Sequence, residues 1–436
     1  MKPSKFNIYI KLPDNETLIF NSFSDSRVIV NEEFLNIIKC CSQSTDKSRM
    51  SQLLELKELG ILIESEMNED REVEYWFQKM KFDSTILSAT ILTTLACNMK
   101  CIYCFEQGIN SNITMKQEVI ENTCNWLTNR MEQLRPKELV ITFFGGEPLM
   151  NLKAVEYISK TLFHESKKRG IILNIEIITN GLLLTPNLIN ILLPLGLRWV
   201  KVTLDGDQKT HDKMRPLKVA KDKDKGTYNK ILKNLLKIKG LVPIIIGGNY
   251  DDISKSHIPA LLDDLKEMGF EDEIKEIAFK PILGFPNHEK NSIHKIKACT
   301  FSETNVDDIF WLVQETEKRG FTPMKKIALG PCEAVRDNSF TIDPLGRIYK
   351  CSAMAGREKY SVGNVDKDWD NSSFNSVNVS FMTSDAWKNC MSCKYLPLCG
   401  GGCRLGALMQ TGNLDAISCE KEYFDKVLNK LILSEI

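Results

Sequence analysis

The sequence predicts an α/β fold: six βα units closing part of a barrel, flanked by a winged-helix-like N-terminal module and a C-terminal cysteine-rich module. Three observations predict it. Between residues 86 and 324 short apolar runs alternate with stretches of helical periodicity, the pattern of a parallel sheet. The preceding stretch alternates as a hairpin does, and the following one loses its periodicity and gathers Cys and Gly. A chain of 436 residues has room for about three domains at ~150 residues each.

In residues 1–85, strands are expected over 7–12, 17–20 and 28–30, with a turn at Pro13-Asp14-Asn15. Helices follow over 32–41 and 50–59, Gly60 stops the second, and 61–63 returns as a strand. Residues 66–80, charged with Tyr75 and Trp76 interleaved, read as a linker helix. Barrel strands are expected over 90–95, 138–144, 174–178, 199–204, 242–246 and 276–280. Helices lie between them over 117–133, 152–168, 186–195, 228–238 and 258–268. Active groups then collect at the C-terminal strand ends. The charge run over 218–225 reads as a solvated loop, and residues 325–436 are expected to fold around metal rather than a large apolar core.

Lys+Arg 57 against Asp+Glu 57 cancel, so the electrostatic pull that nucleic acid requires is missing and no such partner is expected. No apolar run approaches the ~18 residues of a membrane span, and the N-terminus lacks the apolar stretch of a signal peptide. A cytoplasmic protein is expected, with no membrane partner. Its 14 cysteines would stay reduced there, which points to metal or catalysis. Cys40, Cys41, Cys124 and Cys299 are scattered, and most of them read as small buried hydrophobes.

Cys97, Cys101 and Cys104 follow the first barrel strand with spacing C-x3-C-x2-C and Tyr103 before the last. Three thiolates can hold three irons of a four-iron cluster and leave the fourth open, whereas tetrahedral zinc wants four ligands. Gly145-Gly146-Glu147-Pro148 ends the second strand, Thr179-Asn180-Gly181 the third and Thr203-Leu204-Asp205-Gly206 the fourth, with Arg215 beyond. The glycines permit close backbone approach, and an arginine fork suits a carboxylate. Salt bridging between Arg215 and Asp205 is the structural alternative. The C-terminal set comprises Cys332, Cys351, Cys390, Cys393, Cys399, Cys403 and Cys419. Seven thiolates with so little His favour iron over zinc.

The cysteine motif resembles the signature of the radical S-adenosylmethionine (SAM) superfamily, and the strand-end motifs carry the resemblance across the barrel. It implies that Cys97, Cys101 and Cys104 hold a 4Fe–4S cluster whose open iron binds SAM and yields a 5′-deoxyadenosyl radical. It places Glu147 on the SAM amino group, Thr179 and Asn180 near the ribose, and Thr203 and Arg215 on the carboxylate. Tyr103, Gly145, Gly146 and Asp205 complete the expected cofactor contacts. The C-terminal cysteines resemble the SPASM domain. That likeness implies two auxiliary 4Fe–4S clusters, one on Cys332, Cys351 and Cys403 and one on Cys390, Cys393, Cys399 and Cys419. The first has either an open iron or closure by Cys299.

SPASM enzymes mostly modify peptides, and residues 1–85 resemble modules that capture a precursor peptide. The resemblance therefore implies a peptide maturase forming a thioether or carbon-carbon cross-link, with a precursor peptide and a flavodoxin- or ferredoxin-like electron donor as partners. An anaerobic sulfatase-maturing enzyme is the second reading. That family generally carries aspartate directly after the equivalent of Cys351, and this chain has Ser352. A non-catalytic iron-sulfur scaffold is the third.

Overall fold

The computed structural model describes residues 1–40, 47–104, 106, 109, 112–218, 226–282, 303–324, 330–367 and 375–433. Cys41, Cys299 and nearly all of the 218–225 charge run lie outside the described residues. The chain forms two compact units, each assembled from separate stretches: Met1–Phe82 with Lys326–Cys332 and Ser384–Ile436, and Asp83–Lys325 with Glu333–Thr383. These packing units cut across the three stretches that composition distinguishes.

The N-terminal stretch contains β1 (Lys2–Pro3), β2 (Asn7–Lys11), β3 (Glu16–Asn21), β4 (Arg27–Asn31), α1 (Glu32–Cys40), α2 (Lys47–Glu58), β5 (Leu62–Ile63) and α3 (Glu69–Lys81). Strands β2, β3 and β4 pair antiparallel in that order, and β5 pairs with β1. The turn after β2 takes Asp14 and Asn15 at φ 62° and 59°, a conformation these side chains tolerate well. Helix α3 begins where the Asn68 side chain accepts from the amides of Asp70 and Arg71.

The second unit opens with β6 (Ile86–Leu92), α4 (Gln117–Leu134), β7 (Glu138–Phe144), α5 (Leu152–Lys168), β8 (Ile172–Thr179), α6 (Pro186–Leu192) and β9 (Leu197–Thr203). It continues through α7 (Gln208–Met214), α8 (Tyr228–Ile238), β10 (Ile244–Tyr250), α9 (Ile258–Glu267), β11 (Ile274–Pro281) and α10 (Glu303–Lys318). Strands β6 to β11 pair in sequence order and all parallel, the expected partial barrel. Buried and accessible positions alternate along β7 and β8, and along β9 from Trp199 onward. Val200 and Val202 of β9 are fully buried, whereas Trp199, Lys201 and Thr203 on the other face remain partly accessible.

The sheet does not stop at β6. Strands β12 (Ser339–Ile342), β13 (Arg347–Tyr349) and β14 (Gly363–Asn364) extend it to nine strands, β12 running parallel to β6 and the other two antiparallel. Helix α11 (Ser376–Thr383) follows. Part of the stretch expected to organise around metal thus has ordinary sheet packing. Its strands are too short, at 4, 3 and 2 residues, for their periodicity to show in sequence.

The chain then returns to the first unit with α12 (Leu396–Cys399), α13 (Arg404–Thr411) and α14 (Lys421–Leu433). Ile8, Ile10, Leu18 and Phe20 from the hairpin share one core with Tyr395, Leu398, Phe424 and Leu428. The Ser22 hydroxyl donates to the Lys394 carbonyl at 2.6 Å. Helix α3 is not a solvated linker: Val73 and Phe77 are buried with Phe6, Trp387 and Leu396. Among the described residues no helix is long and apolar enough to cross a membrane.

Candidate functional site

The cysteine loop leaves β6 and is gripped from two sides. On one side the amides of Gly146 and Glu147 donate to the carbonyls of Thr94 and Ala96 at 3.1 and 2.9 Å. A Cβ on Gly146 would lie 2.3 Å from the Ala96 oxygen, so only glycine allows this backbone-on-backbone approach. On the other side the amides of Lys100 and Ile102 donate to the carbonyls of Pro216 and Met214 at 2.8 and 3.0 Å. The loop is therefore locked to the strand-end motif after β7 and to the segment carrying Arg215.

These elements enclose a cavity of about 680 Å³. Cys97, Cys101, Cys104 and Tyr103 line it, as do Gly145, Gly146, Thr179, Asn180, Thr203 and Arg215. Burial pushes the Cys97 thiol up to about 11 and the Cys104 thiol up to about 12, and raises Cys101 as well. Thiols so placed become thiolates only against a strong local positive charge, which a bound iron group provides. Among the described residues no three His, Cys, Asp or Glu side chains form a group fitted to a single metal ion, so a closed zinc site is not preformed. Cys97, Cys101 and Cys104 line one open cavity, and three thiols are the donor set of a cluster with one unligated iron.

Two expected contacts have a different place. Glu147 is fully buried and does not line the cavity. One carboxylate oxygen accepts from the Thr179 hydroxyl and the Leu149 amide at 2.7 and 3.1 Å, the other from the Asn180 amide at 2.8 Å. Glu147 thus ties the second strand end to the third. Asp205 is also fully buried behind the wall. It accepts from the Tyr103 hydroxyl, takes the Asn249 amide at 2.8 Å, and lies 3.7 Å from the Arg215 guanidinium. Both acids hold other cavity-lining groups in place.

Tyr103 stands at the centre of this network. Its hydroxyl accepts from Arg215 at 2.6 Å and from the Asn249 side chain at 3.2 Å. Burial raises its pKa, so the hydroxyl stays protonated and keeps donating to Asp205. Burial opposes the charge on Arg215, but Cys101, Tyr103 and Asp205 outweigh it and hold the guanidinium protonated. His211 packs beneath, its Nδ1 accepting the Asp205 amide at 3.3 Å, and burial keeps the ring neutral.

Sequence reasoning missed Asn249, Lys201 and Lys280, which also line the cavity. The signal was present in the polar alternation of β9 and in the Gly247-Gly248 pair inside β10, where interior glycine marks a close approach.

In the first unit, Cys390, Cys393, Cys399 and Cys419 come within electrostatic reach of one another: Cys393 and Cys419 act on Cys390, and Cys390 acts on Cys399. Cys332 and Cys403 both act on Arg404, which is buried and donates to the Leu414 and Ala416 carbonyls at 2.7 and 3.1 Å. Gly400, Gly401 and Gly402 all take positive φ to form this turn. A Cβ on Gly402 would fall 1.8 Å from the Ser418 carbonyl oxygen. Cys351 belongs to the second unit. Cys124 is buried as expected, but Cys40 is exposed.

Residues 91–271 match the Radical SAM superfamily. That stretch is a radical SAM domain, a class that uses SAM and a 4Fe–4S cluster. Within that class the chain is related to the SPASM-type peptide-modifying maturases. It is 26% identical to the cysteine-type anaerobic sulfatase-maturating enzyme of Clostridium novyi, over 77% of this chain and 93% of that one. It is 23% identical to the radical SAM cyclopropyl synthase TigE of Paramaledivibacter caminithermalis, over 93% and 89%. In fold it resembles anSMEcpe with bound AdoMet and a peptide, at TM-score 0.61 and 19% identity over 80% of this chain and 99% of that one. It also resembles Streptococcus suis SuiB bound to the precursor peptide SuiA, at TM-score 0.55 and 15% identity over 96% and 98%.

Proposed function

We propose that the chain is a peptide maturase that reductively cleaves SAM and abstracts hydrogen from a ribosomally made precursor peptide, forming a thioether or carbon-carbon cross-link. Cys97, Cys101 and Cys104 would hold a four-iron cluster with one open iron, which when bound would supply the electron for reductive cleavage of SAM. Thr203 and Arg215 bind the SAM carboxylate, Arg215 being fixed for that task by Tyr103 and Asp205. Thr179 and Asn180 face the ribose. The seven C-terminal cysteines hold two auxiliary 4Fe–4S clusters, and a flavodoxin- or ferredoxin-like protein delivers electrons.

The observation that carries the peptide reading is a groove of 460 Å³ beside β4, an edge of its sheet. The lining mixes Val30, Phe34, Ile37 and Leu56 with Asn31, Glu33, Gln52 and Glu55, and Ile29 on the strand itself is 44% exposed. A strand at the edge of its sheet beside a groove of mixed polarity accepts an extended peptide as an added strand, with pockets for alternate side chains. Anaerobic reconstituted enzyme, given reductant, SAM and peptides encoded beside its gene, is expected to release 5′-deoxyadenosine and remove two hydrogens from one peptide. The Cys101→Ala variant is expected to do neither. Release of 5′-deoxyadenosine by that variant after reconstitution overturns the radical assignment, and unchanged mass in every peptide overturns the maturase assignment.

A further inference from the structure

Lys201 on β9 and Lys280 on β11 both line the cavity, and β10 lies between their strands. Gly247 of β10 makes room for the first: a Cβ there would fall 2.5 Å from Lys201 Cε and 3.5 Å from Nζ. The Lys201 side chain therefore lies across Gly247, on the side of Lys280, and the two ammonium groups repel each other. Among the described residues neither makes an ion pair or a hydrogen bond. Glu276 on β11 pulls on Lys201 more weakly than Lys280 pushes. Lys100 and Lys218 also line the cavity, and Arg215 is occupied by Tyr103 and Asp205, but Lys201 and Lys280 are the two cations that the strands bring against each other.

Two ammonium groups held together in a partly dry cavity, with Glu276 as only a weak counter-charge, favour an anion between them. Lys201 sits two residues before Thr203, about 7 Å further from the strand's C-terminal end. That displacement separates it from the groups assigned to the SAM carboxylate. We propose that Lys201 and Lys280 bind a carboxylate of the peptide substrate, an acidic side chain next to the reacting residue, so that substrate selection is made inside the barrel as well as at the β4 groove. The inference rests on the peptide reading above and names the class of peptide. Burial lowers the Lys201 pKa to about 8, which still leaves the amine mostly protonated at neutral pH.

Three blocked tripeptides test this on the anaerobically reconstituted full chain with saturating SAM. One is acetylated and amidated Gly-Asp-Gly, the second its Gly-Asn-Gly counterpart, and the third Gly-Asn-Gly with a free C-terminal carboxylate. Calorimetry is expected to show the Asp peptide binding at least about tenfold tighter than its amide counterpart, with the free-carboxylate peptide no better than the amide. Lys201→Met is expected to erase the preference, Lys280→Met to reduce it, and Lys201→Arg to retain most of it. Equal binding of Asp and Asn peptides, or no saturable binding of the Asp peptide, overturns the proposal. Tighter binding of the free-carboxylate peptide overturns the side-chain assignment. A tenfold loss of SAM affinity in Lys201→Met with the peptide preference intact also overturns it, by giving the lysine to SAM. Release of 5′-deoxyadenosine by the wild-type chain is scored separately, so failure of the radical reading is distinguishable from failure of this one.

Discussion

Arg215 and Lys201 line the same cavity, yet their surroundings differ in kind. Arg215 meets the Tyr103 hydroxyl at 2.6 Å and the Asp205 carboxylate at 3.7 Å, and Asp205 is itself held by the Asn249 amide. Lys201 has another cation for its neighbour and space over Gly247. The guanidinium is compensated before any ligand arrives, so ligand binding costs it little reorganisation. The lysine pair is only weakly compensated, by Glu276, and the folded chain bears that cost. The comparison teaches that two cations of one cavity can be treated oppositely by the fold, one compensated by its neighbours and the other set against a second cation.

The largest effect expected from breaking this asymmetry is on the compensated side. Asp205→Ala leaves Arg215 buried with its neutral Tyr103 partner and no carboxylate, and is expected to cost about 3–5 kcal/mol in denaturant unfolding. A loss under about 1 kcal/mol means that Arg215 finds compensation elsewhere and that the network is not a unit.

Two glycine substitutions sharpen the contrast at smaller scale. Gly146→Ala drives a Cβ to within 2.3 Å of a backbone oxygen in the cysteine loop, and about 1–3 kcal/mol of destabilisation with poor iron incorporation is expected. Gly247→Ala meets only the flexible end of Lys201, at 2.5 Å from Cε. It is expected to lower stability by less than about 1 kcal/mol while displacing the amine and weakening the acidic peptide about threefold. Iron content and melting temperature of the two variants, measured side by side, check the ranking. Equal costs would show that the lysine wall is as rigid as the cysteine loop.

The smallest effect is a gain. Lys201 has its pKa lowered to about 8 in the folded chain, below the ordinary lysine value. The unfolded chain therefore binds this proton more tightly, and the penalty on folding is fully present below pH ~8 and disappears as pH rises past ~10. Lys201→Met is expected to stabilise the ligand-free chain by about 1–2 kcal/mol at pH 7, after allowance for solvent screening, with the gain shrinking toward pH 10. A gain that grows with pH, or none at pH 7, contradicts burial of a charged amine.

Much of the barrel was legible because strand and helix periods are strong there, and helices Leu152–Lys168 and Tyr228–Ile238 begin and end where periodicity places them. The convergence of Cys97, Cys101 and Cys104 on one cavity also follows from spacing and position at a strand end. The hydrogen-bond partners of Glu147 were not legible, because a motif gives proximity and only coordinates show that its oxygens accept from Thr179, Leu149 and Asn180. Lys201 and Lys280 stayed hidden for another reason. Alternating polar residues in a strand tell that one face is not packed, and whether that face meets solvent or a cavity depends on the closing of the whole sheet. The shared core of Phe20 with Phe424 joins residues so distant that no local pattern carries it.

Strand β12 lies beside β6, with Ser339 opposite Ser88 and Ile342 opposite Ile91. During synthesis, then, the first strand of the barrel waits for a partner 251 residues downstream (339 − 88), a wait of roughly 10–50 s at ordinary elongation rates. For that time the edge of β6 that β12 will occupy is open to pairing with any other chain. The hairpin waits longer still, since Phe20 is covered only when Phe424 has been made. An order of assembly follows in which the barrel strands from β6 to β11 form first, the β12–β14 extension seals the sheet, and the N-terminal hairpin is completed last. Exposed sheet edge therefore falls to its final value only when the C-terminal strands and helices have been made, and the protection of β6 from other chains is among the last things the fold acquires.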